Sequence, residues 1–227
     1  MKQELWLIWR QPKTRRRYKV GILSFDKIYT FSYLNPELDD ALKNGFTFFP
    51  GFEDLQKEYR SEQLFANIAT RLPNPKRPDY LNILNSYDLD SSSSQFDILS
   101  ATKGRLVTDS YEFVPVFDSK KIEFDIAGTR HSKYISECCQ LIQVNDLLTL
   151  ELDPNNEFDE HAIKVLFIHD SKKYQLGFVP RYYSKELTKL LNKKVSYSAM
   201  VESLNFESEL NDEDVTVFVK LIFNDNC

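Results

Sequence analysis

The chain has 227 residues, 42% of them hydrophobic and 14% aromatic, with only six glycines and nine prolines. This composition sustains packed cores and excludes wholesale disorder, and a length beyond the ~100–200 residues of one domain predicts two. The formal net charge of −5 argues against a protein that coats nucleic acid along its length, because such binding draws on many phosphate-neutralising Lys and Arg side chains.

The charge is unevenly spread. Residues 1–117 carry 16 Lys+Arg against 15 Asp+Glu, residues 118–227 carry 13 against 19, and six of those nineteen acids fall between Glu202 and Asp214. Residues 118–200 balance at 12 against 12, which leaves a domain there able to grip a few phosphates at one place. No run approaches the ~18 consecutive apolar residues of a membrane span, and Met1 to Arg17 lacks the pattern of a signal peptide. A cytosolic protein without membrane contact is expected. The cysteines are Cys138, Cys139 and Cys227; sequence neighbours rarely bridge each other, so no disulfide framework is expected.

In chain order, Leu5 to Trp9 reads as a strand and Gln11 to Arg17 as a basic loop. Tyr18–Phe25 and Lys27–Tyr33 are β-branched and aromatic runs with almost nothing between them, which predicts an antiparallel hairpin. A short helix follows near Pro36–Leu42. Over Glu58–Leu72 the spacing of Leu64, Phe65, Ile68 and Leu72 predicts one helix, ended by Pro73. Tyr80–Tyr87 reads as a helix with Leu81 and Leu84 inward, Ser91–Gly104 as a serine-capped helix, and Thr108–Phe117 as a strand. The polar stretch Asp118–Lys121 marks the boundary between a domain of residues 1–117 and one of 122–227.

Beyond it the rhythm shifts to short strands at Ile122–Gly128, Leu147–Leu152, Ala162–His169, Tyr174–Pro180, Val195–Leu204 and Val215–Phe223. Helices are predicted around Tyr134–Leu141 and at Ser184–Lys194, the latter capped by Ser184. Many short strands in about 100 residues predict a small barrel. The fold class is therefore α+β: a small antiparallel sheet with helices, then an antiparallel β-barrel.

Three segments occur in one order: IAGTRHS at Ile126–Ser132, DPNNEFDEHAIKV at Asp153–Val165, and LGFVPRYYS at Leu176–Ser184. Together they resemble the HIRAN family. The resemblance implies an OB-like or SH3-like barrel that binds single-stranded DNA at its 3′ end. It assigns Asp159 to the terminal hydroxyl, Phe158 to base stacking, and Arg130 and Asn156 to the backbone. His131 stands where the family often has an aromatic, Phe178 where it can have histidine, and Arg181 where it can have lysine. An ionised carboxylate only accepts hydrogen bonds, so it suits a free hydroxyl and repels a terminal phosphate. Read from the residues alone, Asn156 and Asp159 could bond their own turn, Phe158 and Phe178 could be core, and Arg130, His131 and Arg181 could be surface groups.

The first half, over Arg17–Phe117, resembles the N-terminal subdomain of HipA-type toxin kinases, on YKVGILSF, EYRSEQLFANIATRLP and FDILSATKG. That likeness implies an interaction domain partnering a HipA-like kinase or a DNA-binding antitoxin. The chain shows no kinase loop, no G-x-S-x-G elbow and no C-x-x-C pair, so no enzyme, cofactor or zinc is expected. A Mg²⁺-dependent nuclease built on Asp153, Asp159 and Glu160 stays as a further alternative.

Overall fold

The computed structural model describes residues 2–205 and 216–224. Most of the acidic stretch, Val215 and Cys227 lie outside these residues. The chain divides into two compact units, residues 1–116 and 117–227.

In the first unit five strands form one antiparallel sheet in the order β4-β3-β2-β1-β5. They are β1 (Gln3–Arg10), β2 (Arg17–Asp26), β3 (Ile28–Tyr33), β4 (Tyr59–Ser61) and β5 (Tyr111–Pro115). Alternation puts Leu5, Leu7 and Trp9 of β1 on one face, where they join Val20, Leu23, Phe31 and Phe113 in the core. The predicted hairpin is β2–β3, with Asp26 opposite Ile28 and Lys27 turning at positive φ. Helices α1 (Glu37–Lys43), α2 (Ala66–Ala69), α3 (Tyr80–Asn85) and α4 (Gln95–Thr102) complete the unit. At α4 the Ser94 hydroxyl accepts from the Asp97 N–H while the Asp97 carboxylate accepts from the Ser94 N–H, a capping box.

Two expectations in this unit are corrected. Glu58–Leu72 is not one helix: Tyr59–Ser61 pairs with β3 as an edge strand, and Phe65 is extended, which leaves α2 a single turn. Ladder hydrogen bonds at the sheet edge outweigh helix periodicity there. Leu84 of α3 is buried, but Leu81 is 55% exposed.

Polar groups in this unit are used for internal bonding. Tyr33 donates to the Phe52 carbonyl and accepts from the Phe49 N–H, and burial raises its pKa. Arg71 is ion-paired with Asp109, donates to the Gly104 carbonyl, and lies over Phe49 and Tyr111. Glu112, 8% exposed, receives Arg17 Nε at 3.0 Å and Arg105 Nη2 at 2.6 Å. Burial pushes the Glu112 carboxyl up, but Arg105, Arg17 and Lys103 outweigh it and hold the carboxyl below its ordinary range.

The second unit is one six-stranded antiparallel sheet, ordered β6-β11-β10-β7-β8-β9. Its strands are β6 (Lys121–Asp125), β7 (Leu147–Leu152), β8 (Ile163–His169), β9 (Lys172–Phe178), β10 (Tyr197–Asn205) and β11 (Thr216–Phe223). Two residues past β6, Ala127 forms an antiparallel bridge with Phe178 at the end of β9, with N–H to carbonyl distances of 2.8 and 2.9 Å, which closes the sheet into a barrel. A Cβ on Gly177 would sit 2.5 Å from the Ala127 oxygen, so the crossing requires glycine. Helix α5 (Ile135–Cys138) is shorter than expected, and α6 (Arg181–Asn192) starts three residues early, behind Pro180. Ser184 is therefore not its cap: it lies one turn inside and is 1% exposed.

Candidate nucleic-acid interface

One end of the barrel gathers the β7–β8 turn, the end of β9, the start of α6 and the 3-10 turn Thr129–His131 that follows β6. The β7–β8 turn is held by its own side chains. Asn156 Oδ1 accepts the Phe158 and Asp159 N–H groups at 3.0 and 3.2 Å, and its Nδ2 donates to Asp153. One amide hydrogen of Asn156 is left for an outside partner. Asp153 also receives Lys164 at 3.1 Å. Partial burial raises the Asp153 carboxyl, but the Asn156 and Lys164 bonds prevail and the net shift is downward.

This bracing makes Asp159 a cross-link as well as a candidate acceptor. Its Oδ1 takes the His161 N–H at 3.0 Å, and its Oδ2 takes the Ser184 hydroxyl at 2.7 Å, joining the turn to α6. Thr188 adds a second tie, donating to the His161 carbonyl. Each carboxylate oxygen keeps a second lone pair. Between Asn156 and Asp159 the turn projects Phe158, whose side chain is in no core: the residue is 76% exposed.

Across the closure, Gly128 turns the chain at φ +74° into Thr129–His131. Arg130 and His131 are both exposed, with Arg130 Nε donating to His131 Nε2 at 3.0 Å. Ser132 anchors this turn by donating to the Gln175 carbonyl of β9. Phe178 is half-buried, opposite Lys164 on β8, and its ring comes within 4.0 Å of where a Cβ on Gly128 would stand. Arg181 is half-buried in the first turn of α6, next to the Ser184 that Asp159 accepts.

All seven predicted residues thus lie on the segments meeting at this end, Arg130 and His131 on one side of the Ala127–Phe178 closure and the β7–β8 turn and α6 on the other. Sequence reasoning missed Ser184 as the partner of Asp159. Pro180 was the available signal, since proline preorganises a helix start and moves it ahead of Ser184. Of the carboxylates considered for Mg²⁺, Asp153 is occupied by Lys164 and Asn156, and Glu160 points outward with its side chain 86% exposed. Among the described residues no helix is long and apolar enough to cross a membrane.

Residues 119–219 match the family model of the HIRAN domain, a nucleic-acid-binding module. Among solved structures, the HIRAN domain of human HLTF is 19% identical, covers 46% of this chain and 74% of its own, and has a TM-score of 0.35. A protein from Lactobacillus plantarum is 17% identical over 46% of this chain and 90% of its own, with a TM-score of 0.37. No curated protein matches the chain.

Proposed function

We propose that the barrel binds the 3′ end of a DNA single strand as a non-catalytic module, with the first unit serving as a protein-interaction domain. The observation that carries this reading is Phe158, a phenylalanine left 76% exposed on a turn that Asn156 and Asp159 hold rigid. An exposed aromatic on a fixed turn offers a stacking face with little ordering cost, and base stacking tolerates any sequence. Asp159 beside it accepts the terminal hydroxyl through its remaining lone pairs and repels a terminal phosphate. Arg130, His131, Arg181 and the spare Asn156 amide hydrogen take backbone oxygens, and Phe178 supports the terminal sugar or base. The near-neutral charge of residues 118–200 fits recognition of one end and not the coating of a strand.

The test compares an oligonucleotide ending in a 3′-hydroxyl with its 3′-phosphorylated twin by fluorescence anisotropy. The hydroxyl form is expected to bind more tightly, and Asp159→Asn, which removes the charge and preserves the shape, to narrow the gap. Equal binding of the two ends by the unaltered protein rejects the end pocket, and binding of neither leaves the barrel as a protein-interaction surface.

A further inference from the structure

Helix α6 buries Tyr182, Tyr183, Ser184 and Leu187 against its unit, and Tyr183 reaches Phe124 at a ring distance of 6.4 Å. Its outer side carries Lys185 and Lys189, with Lys193 at the C-cap, all three exposed and four residues apart. That spacing makes one ridge, each step rising about 6 Å along the axis. Like charges at this spacing repel, while Lys189 in the last turn and Lys193 at the C-cap stand where the backbone dipole favours a cation.

Five other lysines of the barrel are paired, while Lys133 lies over the Tyr134 ring and Lys120 and Lys194, like the ridge, have no ion pair among the described residues. Lys121, Lys164, Lys172, Lys173 and Lys220 each pair with a carboxylate. Among the described residues, none of these three ridge lysines has an ion pair or hydrogen bond through its side chain, although Glu186 lies on the same helix. A ridge of exposed cations attracts a polyanion. Its position gives the direction. The helix begins at Arg181, and Ser184 and Thr188 on the adjoining face hold the turn that bears Phe158 and Asp159. A strand whose end sits in that turn and whose chain runs along α6 meets this ridge.

We propose that Lys185, Lys189 and Lys193 form a phosphate track that carries the strand onward from its bound end. This deepens the end-binding reading and rests on it, but the two separate experimentally. Three DNAs are titrated against the full chain: a 3′-hydroxyl oligonucleotide of about 4 nucleotides, one of about 16, and a circle of about 16 without ends, lengths that bracket the span of one small barrel. The variant carries Lys185→Gln, Lys189→Gln and Lys193→Gln together, substitutions that keep helix propensity. The unaltered protein is expected to bind the long linear strand at least about tenfold more tightly than the short one. The variant loses that gain, binds the circle more weakly, and keeps the short strand and its hydroxyl-over-phosphate preference. Its salt dependence on the long strand flattens by about 2 in log–log slope, three contacts at about 0.7 each. A variant that matches the unaltered protein on the long strand and the circle, with the same salt slope, overturns the track and leaves the end pocket standing. An unaltered protein that binds circle and long linear strand equally overturns the end pocket, and the variant's loss or retention of circle binding still decides the track.

Discussion

The buried ion pairs of the first unit and the exposed groups at one end of the barrel put charge to opposite uses. In the first, Arg71 is enclosed with Asp109, and Glu112 is enclosed with Arg17 and Arg105, so these groups are consumed in holding strands and loops together. At one end of the barrel, Arg130, His131 and Phe158 stand open to solvent, and Asp159 retains accepting capacity. A buried ion pair specifies a fold and recognises nothing outside it; an exposed group on a braced turn costs the fold little and is free to recognise. The contrast predicts that substitutions in the first unit act on stability, and those at the barrel end on binding.

The largest effect is expected at Glu112. Removing it by Glu112→Ala leaves Arg17, Lys103 and Arg105 without their shared carboxylate, a loss of about 3–5 kcal/mol for a buried pair broken on one side. Both tryptophans, Trp6 and Trp9, lie in β1, so tryptophan fluorescence in urea follows this unit selectively. Because the folded state holds the Glu112 carboxyl below its ordinary range, its stabilisation is complete above the unfolded carboxyl's pKa and is lost as pH falls through the folded value. The tryptophan-detected midpoint should drop on acidification in the unaltered protein and much less in the variant. DNA affinity of the folded variant unchanged is the matching expectation; a weakened affinity would break the division of labour.

Phe158→Ala is the mirror experiment. It should cost about 1–3 kcal/mol of single-strand binding, the contribution of one stacked base, while urea stability moves by less than about 0.5 kcal/mol, as for an exposed surface site. A stability loss without a binding loss would return Phe158 to a structural role. Next in size is Ser94→Ala, which removes the hydroxyl from the α4 capping box. About 1 kcal/mol of first-unit stability should go with it, detected by the same tryptophans, with binding unaffected.

Much of the architecture was readable from side-chain alternation. Leu147–Leu152 is a strand with the expected bounds, and the paired runs flanking Lys27 form the expected hairpin. What misled was local pattern overridden by distant partners. Tyr59–Ser61 is drawn into an edge strand by β3, and the serine that looks like a helix cap, Ser184, is claimed by Asp159 from the β7–β8 turn 25 residues earlier. The DPNNEFDEHAIKV motif gave the site's residue types, but not whether Phe158 faces in or out, since a turn phenylalanine looks the same in sequence either way. Sequence reasoning did not single out the α6 lysines, since whether each finds a carboxylate depends on neighbours that only the folded chain supplies.

The smallest effect tests whether the barrel turn is as lightly loaded as the comparison implies. Asp153 and Lys164 are 3.1 Å apart with side chains 20% and 26% exposed, so solvent screens the pair and its contribution should be about 0–1 kcal/mol. Asn156 and Lys164 lower the Asp153 carboxyl against the opposing effect of burial, so the pair's stabilisation is present above the ordinary aspartate range and fades as pH falls through the folded value. Asp153→Asn should therefore lower barrel stability slightly near neutrality and make no difference once the solution is acidic enough to protonate the aspartate in both states. Hydrogen exchange of the β7 and β8 amides resolves this unit apart from the tryptophan-bearing one. A loss as large as that at Glu112 would show that the turn, like the first unit, is held by charge, and its openness at Phe158 would then need a different physical cause.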